Sequence, residues 1–136
     1  MTPTAFTLLA LVAWTVALLL SLGAYRSALV FGGKRAANSF NATGEDLEGL
    51  GKRLTRAHAN CYESLPIIGI VLLYVIATGQ TAITDGLAGI VLFARIAQSV
   101  THIISTSQLF AVIRFAFFLV QICVLVFWLL KLLYVL

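Results

Sequence analysis

Four apolar stretches alternate with polar connections along the chain, and only one connection is long. Residues 6–25 form an uncharged run of twenty, the length a helix needs to cross a bilayer. Gly, Asn, Lys, Arg, Glu and Asp are mixed through residues 32–53. The next apolar segment, Leu65 to Ala77, has only thirteen residues, so a crossing must reach back through Glu63 and Asn60. After a short turn at Thr78 to Thr81, a third apolar stretch runs to about Ser105 and a fourth from about Phe110. The pattern predicts an all-α membrane protein, a single four-helix transmembrane domain over residues 1–136. Its helices fall at about 5–31, 54–78, 82–105 and 110–136, with a loop at about 32–53 and a kink at Pro66.

Polar residues on these helices are not scattered. Arg56, Asn60 and Glu63 stand at i, i+4 and i+7, on one face of the second helix. Arg95, Gln98 and His102 share one face of the third. Counting from the tight turn between the two helices puts Glu63 and Arg95 both about 20 Å below it. The same count levels Asn60 with Gln98, and Arg56 with His102. A Glu63–Arg95 ion pair and three polar layers along one seam are therefore expected. Ionisable groups at membrane depth mark a functional site by default, although polar residues also simply join membrane helices. Gln121 can extend the polar face onto the fourth helix or bond a neighbour, and His58 falls away from the Arg56 and Asn60 face.

Composition agrees with a membrane chain: 61% of residues are hydrophobic and 10% charged. The net charge of +4 does not imply nucleic acid, because five of the nine Lys and Arg residues fall between Lys34 and Arg56, beside membrane segments. By the positive-inside rule the first and third loops face the cytoplasm and both termini lie outside. Cys61 and Cys123 have no metal-ligand spacing, and no metal site is expected. The polar seam opens toward a basic rim of Lys52, Arg53, Arg56 and Arg114, which suits a small anionic molecule entering from the cytoplasm.

The segment Arg53-x-x-Arg56-Ala57-x-x-Asn60-x-x-Glu63-x-x-Pro66 resembles the signature of the MAPEG superfamily, membrane-associated proteins in eicosanoid and glutathione metabolism. Its spacing is similar to that of the microsomal glutathione transferases and leukotriene C4 synthase. Leu92-Phe93-Ala94-Arg95 and Ile113-Arg114 lie where that family has its third-helix arginine and the arginine opening its fourth helix. The resemblance implies a homotrimer with glutathione as co-substrate at each subunit interface and a hydrophobic electrophile arriving through the membrane lipid. It implies Arg56, Asn60, Glu63 and Arg95 as glutathione ligands and Arg114 as the residue stabilising the thiolate. Gln98, His102, Arg53, and Lys34 or Arg35 after the first helix complete the expected binding set. His102 and Phe118 stand where many members carry tyrosines. The short loops look like those of a bacterial member, placed in the inner membrane. A non-catalytic helical membrane protein binding a lipid or a partner protein is the alternative from a different class.

Overall fold

Helix α1 (Pro3–Phe31) begins where Thr2 accepts a hydrogen bond from the Ala5 amide and Pro3 occupies the first turn, a position that needs no amide proton. Three more α-helices follow: α2 (Gly49–Ala77), α3 (Asp85–Ile104) and α4 (Gln108–Leu132). The computed structural model describes residues 1–134 and 136. All four helices are long and apolar enough to cross a membrane, so the chain is an integral, multi-pass membrane protein. At 1.5 Å per residue the 20-residue α3 spans about 30 Å, the thickness of the hydrocarbon core.

Helix α3 is the hub. It packs against α1, α2 and α4, and α1 also packs along α2. The apolar core comprises Leu11 of α1, Ile68, Val71 and Leu72 of α2, Val91 of α3, and Leu125 and Trp128 of α4. Helices α2 and α4 both lean on α3 yet make little contact with each other. A cleft is left between them.

The helix ends depart from the hydropathy pattern for local reasons. Helix α2 starts at Gly49 rather than near Leu54, because tertiary contacts hold its polar first turns. Gly51 lies against the Tyr25 ring so closely that a Cβ there would collide with it. Gly44, at φ 71°, brings the loop onto Thr55 with no room for a side chain. Helix α2 then runs through Pro66 without ending. Before α3 the chain forms a 3₁₀ turn at Thr81–Ile83, which moves the helix start from Ala82 to Asp85. Helix α4 starts earlier than Phe110, with Ser107 accepting from the Phe110 amide at 3.5 Å. Its end comes before the expected Leu136: Tyr134 has φ 58°. Val135 lies outside the described residues.

A staple joins the N-terminal ends of α1 and α3. Asp85 accepts from the Thr4 amide at 3.0 Å and the Thr4 hydroxyl at 2.6 Å, and Thr4 Oγ1 lies 2.7 Å from Thr84 Oγ1. One carboxylate thus serves the N-terminal turns of two helices, where their dipoles favour negative charge. Thr4 and Thr84 are fully buried. Replacing Thr4 with Val removes the hydroxyl at constant shape, and is expected to cost about 1 kcal/mol of stability. Unfolding of the variant in mixed micelles, compared with wild type, checks this.

Candidate functional site

The face of α2 that meets α3 runs through Ala57 and Cys61, both buried. Cys61 Sγ lies 3.1 Å from Ser99 Oγ. At about 100° per residue, Asn60 falls on the flank of that face, whereas Glu63 sits about 200° beyond Cys61 and looks outward. This rotation overturns the expected Glu63–Arg95 ion pair. Among the described residues the one salt bridge is Arg35–Asp46. Arg95, only 3% exposed, instead donates from Nη1 to Asn60 Oδ1 at 2.6 Å and to the Asn60 carbonyl at 3.3 Å. The depths matched as expected, but the azimuth did not.

The other two expected layers divide in the same way. Gln98 does not meet Asn60; its Oε1 accepts from Gln121 Nε2 of α4 at 2.9 Å. Gln121 Nε2 also donates to the Phe117 carbonyl at 2.8 Å. Arg56 and His102 do come together, lining one cavity at the bundle's end with Lys52, Arg53, Thr106 and Arg114. That cavity holds about 260 Å³. Four cationic side chains line it and no carboxylate does.

Two of those cations are held by the end of α3. Arg53 Nε donates to the Ile103 carbonyl at 2.6 Å, and Arg114 Nη1 to the Ser105 carbonyl at 3.1 Å. Carbonyls at a helix C-terminus lack intrahelical donors and attract positive charge. The guanidiniums are therefore fixed at the rim with their remaining N–H groups free of these bonds.

Deeper in the cleft, a second cavity of about 170 Å³ is lined by Asn60, Glu63 and Ser64 of α2, Arg95 of α3, and Phe118 and Gln121 of α4, with isoleucines and Leu125 as apolar walls. Two buried polar atoms there have no partner among the described residues: Arg95 Nε and Gln121 Oε1. Each such group costs about 1–3 kcal/mol when left unpaired. Phe118, at the position where a tyrosine is common in the resembled family, lines this cavity without a hydroxyl.

Lys34 and Arg35 stand apart from both cavities. Arg35 organises the long loop, donating to Asp46 Oδ2 at 2.6 Å and to the Ser39 carbonyl at 2.7 Å, with its guanidinium over the Phe40 ring. His58 lies against Tyr62, ring centroids 5.2 Å apart, and lines neither cavity. Ser64 was not singled out by the sequence pattern. It follows Glu63 directly and stands at i+4 from Asn60, so its place on the same face was a signal the spacing did offer.

These features define an integral membrane protein with a polar cleft cut into the flank of a four-helix bundle, cationic at its rim. The profile of the MAPEG family matches residues 4–134, and the chain belongs to that family. No curated protein and no solved structure matches the sequence.

Two outcomes follow for these side chains. Asn60→Ala removes the acceptor from a buried guanidinium and is expected to cost about 2 kcal/mol, read as a lowered unfolding midpoint in detergent. The Arg35 hydrogen bond holds the Asp46 carboxyl below its usual range. A carboxyl lowered by folding contributes stability above its unfolded value, and the contribution is lost as pH falls through the folded value. Protection factors for the amides of residues 36–47, corrected for the intrinsic pH dependence of exchange, should therefore hold at neutral pH and fall only below about pH 4. Asp46→Asn should lower them at neutral pH and make little difference below the folded value, where the wild-type carboxyl is itself protonated.

Proposed function

We propose that this protein is a glutathione-dependent membrane transferase or peroxidase acting on hydrophobic electrophiles. The observation that carries the reading is the rim of Lys52, Arg53, Arg56 and Arg114, four cations with no carboxylate among them, continuous along α2 with Asn60 and the unpaired Glu63. MAPEG membership is consistent with it. From Arg56 to Glu63 the α2 face extends seven residues, about 10 Å. Glutathione carries two carboxylates and one ammonium, and this strip offers cations at one end and a carboxylate at the other. Arg56 is suited to a carboxylate because its fork pairs both oxygens at once, and Glu63 to the ammonium. Arg95 acts through Asn60, holding its amide toward the cleft.

When bound, the tripeptide supplies a thiol whose ionised form is the nucleophile. Arg114 is the residue proposed to stabilise that negative charge. Its anchoring to the Ser105 carbonyl fixes the guanidinium before any ligand arrives, so little reorganisation is needed. A cation beside a thiol lowers its pKa and raises the fraction ionised at neutral pH. His102 lines the rim from α3, Gln98 supports Gln121 from behind, and the Ile67, Phe118 and Ile122 side chains form apolar walls through which an electrophile dissolved in the bilayer reaches the cleft.

The placement of Arg56 and Glu63 supports a site completed by a neighbouring subunit. Both are exposed on the flank of a single chain, where a charge facing lipid costs about 2.5–3.5 kcal/mol at the membrane centre. Covering that flank with a second copy and a charged ligand removes the cost, in keeping with a homotrimer carrying glutathione at its interfaces. In this reading the basic rim and loop face the cytoplasm by the positive-inside rule, with both termini outside, in a bacterial inner membrane.

Purified protein assayed with glutathione and a chromogenic aromatic electrophile should turn over, and Arg114→Ala should reduce kcat/KM about 10²–10³-fold. The alkaline shift expected of the bound thiol in that variant, read by thiolate ultraviolet absorbance against pH, separates loss of charge stabilisation from loss of fold. Uncatalysed rates in wild type, with no thermal stabilisation by glutathione, would return the chain to the reading of a non-catalytic membrane protein.

A further inference from the structure

A separate cavity lies away from the α2–α4 cleft, where the last turns of α1 meet the long loop. It holds about 540 Å³, within the range of ligand pockets. Arg26 and Ser27 supply its polar side chains, and Val30, Phe31, Ala37 and Phe40 line it with apolar ones. No carboxylate reaches it. Its depth follows from the Thr4–Asp85 staple, which starts α1 and α3 from one level. From that level α3 reaches Ile104 about 29 Å on and α1 reaches Arg26 about 33 Å on, against a hydrocarbon core about 30 Å thick. Arg26 therefore stands in the headgroup layer, at the level of the lipid phosphates.

The Arg26 charge is not met within the chain. Among the described residues its guanidinium makes one hydrogen bond, to the Asn41 carbonyl at 3.4 Å, and no salt bridge. Arg35, by contrast, is neutralised by Asp46. Both guanidiniums face the Phe40 ring, Arg26 at 5.5 Å and Arg35 at 4.8 Å from its centroid. An arginine fork pairs two phosphate oxygens at once, so a phosphate at this level supplies the missing counter-ion. The ring restricts what the phosphate carries: a choline or ethanolamine would bring a third cation beside Phe40. A phosphodiester with an uncharged polyol head meets no such repulsion.

We propose that the cavity between α1 and the long loop binds the headgroup of an anionic phospholipid, its phosphodiester on Arg26 and its polyol between Ser27 and Phe40. Recognition is by the charge and shape of the head, and the acyl chains carry no specificity. The bound head lies between α1 and residues 37–40, so it fastens the loop to the helix. None of the residues lining this cavity lines the rim or the α2–α4 cleft. The site is therefore independent of the glutathione reading, and its occupation is measured with no thiol present.

The test uses the protein in detergent with dioleoylphosphatidylglycerol, dioleoylphosphatidylcholine or glycerol 3-phosphate. Because the two lipids share their chains, any difference between them is due to the headgroup. Native mass spectrometry is expected to show phosphatidylglycerol retained about fivefold more than phosphatidylcholine, and hydrogen exchange to show added protection at residues 37–41. Arg26→Gln should bring the two lipids to equal retention, whereas Lys131→Gln, near the far end of α4, should leave the preference intact. Ala37→Trp fills the cavity from the loop side with Arg26 in place, and should abolish the preference without touching a helix. Equal retention of the two lipids by wild type, or a preference that survives both Arg26→Gln and Ala37→Trp, would overturn the proposal. So would the same protection from glycerol 3-phosphate alone, or a benzophenone in place of Phe31 that crosslinks protomers rather than lipid. Glutathione turnover is judged separately, since no thiol enters this experiment.

Discussion

A guanidinium inside a bilayer must find a partner, and in this protein the partner of Arg95 is Asn60. That hydrogen bond ties the middle of α3 to the flank of α2 and sets the rotation of both helices. With Asn60 turned toward Arg95 on the flank of the packed face, Glu63, about 60° further round, looks outward. Cys61 and Ala57 are carried into the core. A direct ion pair between Glu63 and Arg95 would have cancelled two charges inside the bundle and left no carboxylate free for a ligand.

The same constraint explains the shape of the bundle. Among the described residues helix α3 carries more buried polar side chains than any other helix, with Arg95, Gln98 and Ser99 all enclosed, and such residues must be surrounded by other helices. It therefore occupies the centre, touched by α1, α2 and α4. Because α2 and α4 each bond to α3 through polar contacts, Asn60 to Arg95 and Gln121 to Gln98, neither needs the other. The space between them becomes the cleft. At the end of the bundle away from the Thr4–Asp85 staple, the carbonyls that terminate α3 hold Arg53 and Arg114 in place, so the end of one short helix organises the cationic rim.

Much of this was legible in the chain. Four helices follow from hydropathy and length, and the Arg56, Asn60, Glu63 strip and the Arg95, Gln98, His102 strip follow from helical periodicity. The levels also came out of simple counting, as the shared rim of Arg56 and His102 illustrates. What counting cannot supply is azimuth: whether Asn60 or Glu63 faces Arg95 depends on which apolar residues of α2 pack against α3, a property of the whole core. The extension of α2 back to Gly49 was hidden for a related reason, since Lys52 and Arg53 read as loop residues until Arg53 meets the α3 terminus. The resemblance implied Lys34 or Arg35 as a basic ligand of glutathione, but Arg35 is engaged within its own loop. Its partners Ser39 and Asp46 lie within a loop whose turns depend on Gly44 and Phe40 rather than on any periodic pattern.

The proposed glutathione site lies along the outward strip of α2. A charged strip on the flank of a membrane protein is unstable facing lipid and useful facing a ligand, which is why its occupant decides the function. The decisive measurement is an electron cryo-microscopy structure of the protein in lipid with glutathione present. Density for the tripeptide running from Arg56 past Asn60 to Glu63, with its sulfur beside Arg114, is the expected result. A strip sealed by hydrocarbon side chains of a neighbouring copy, with no density between Arg56 and Glu63, would contradict it.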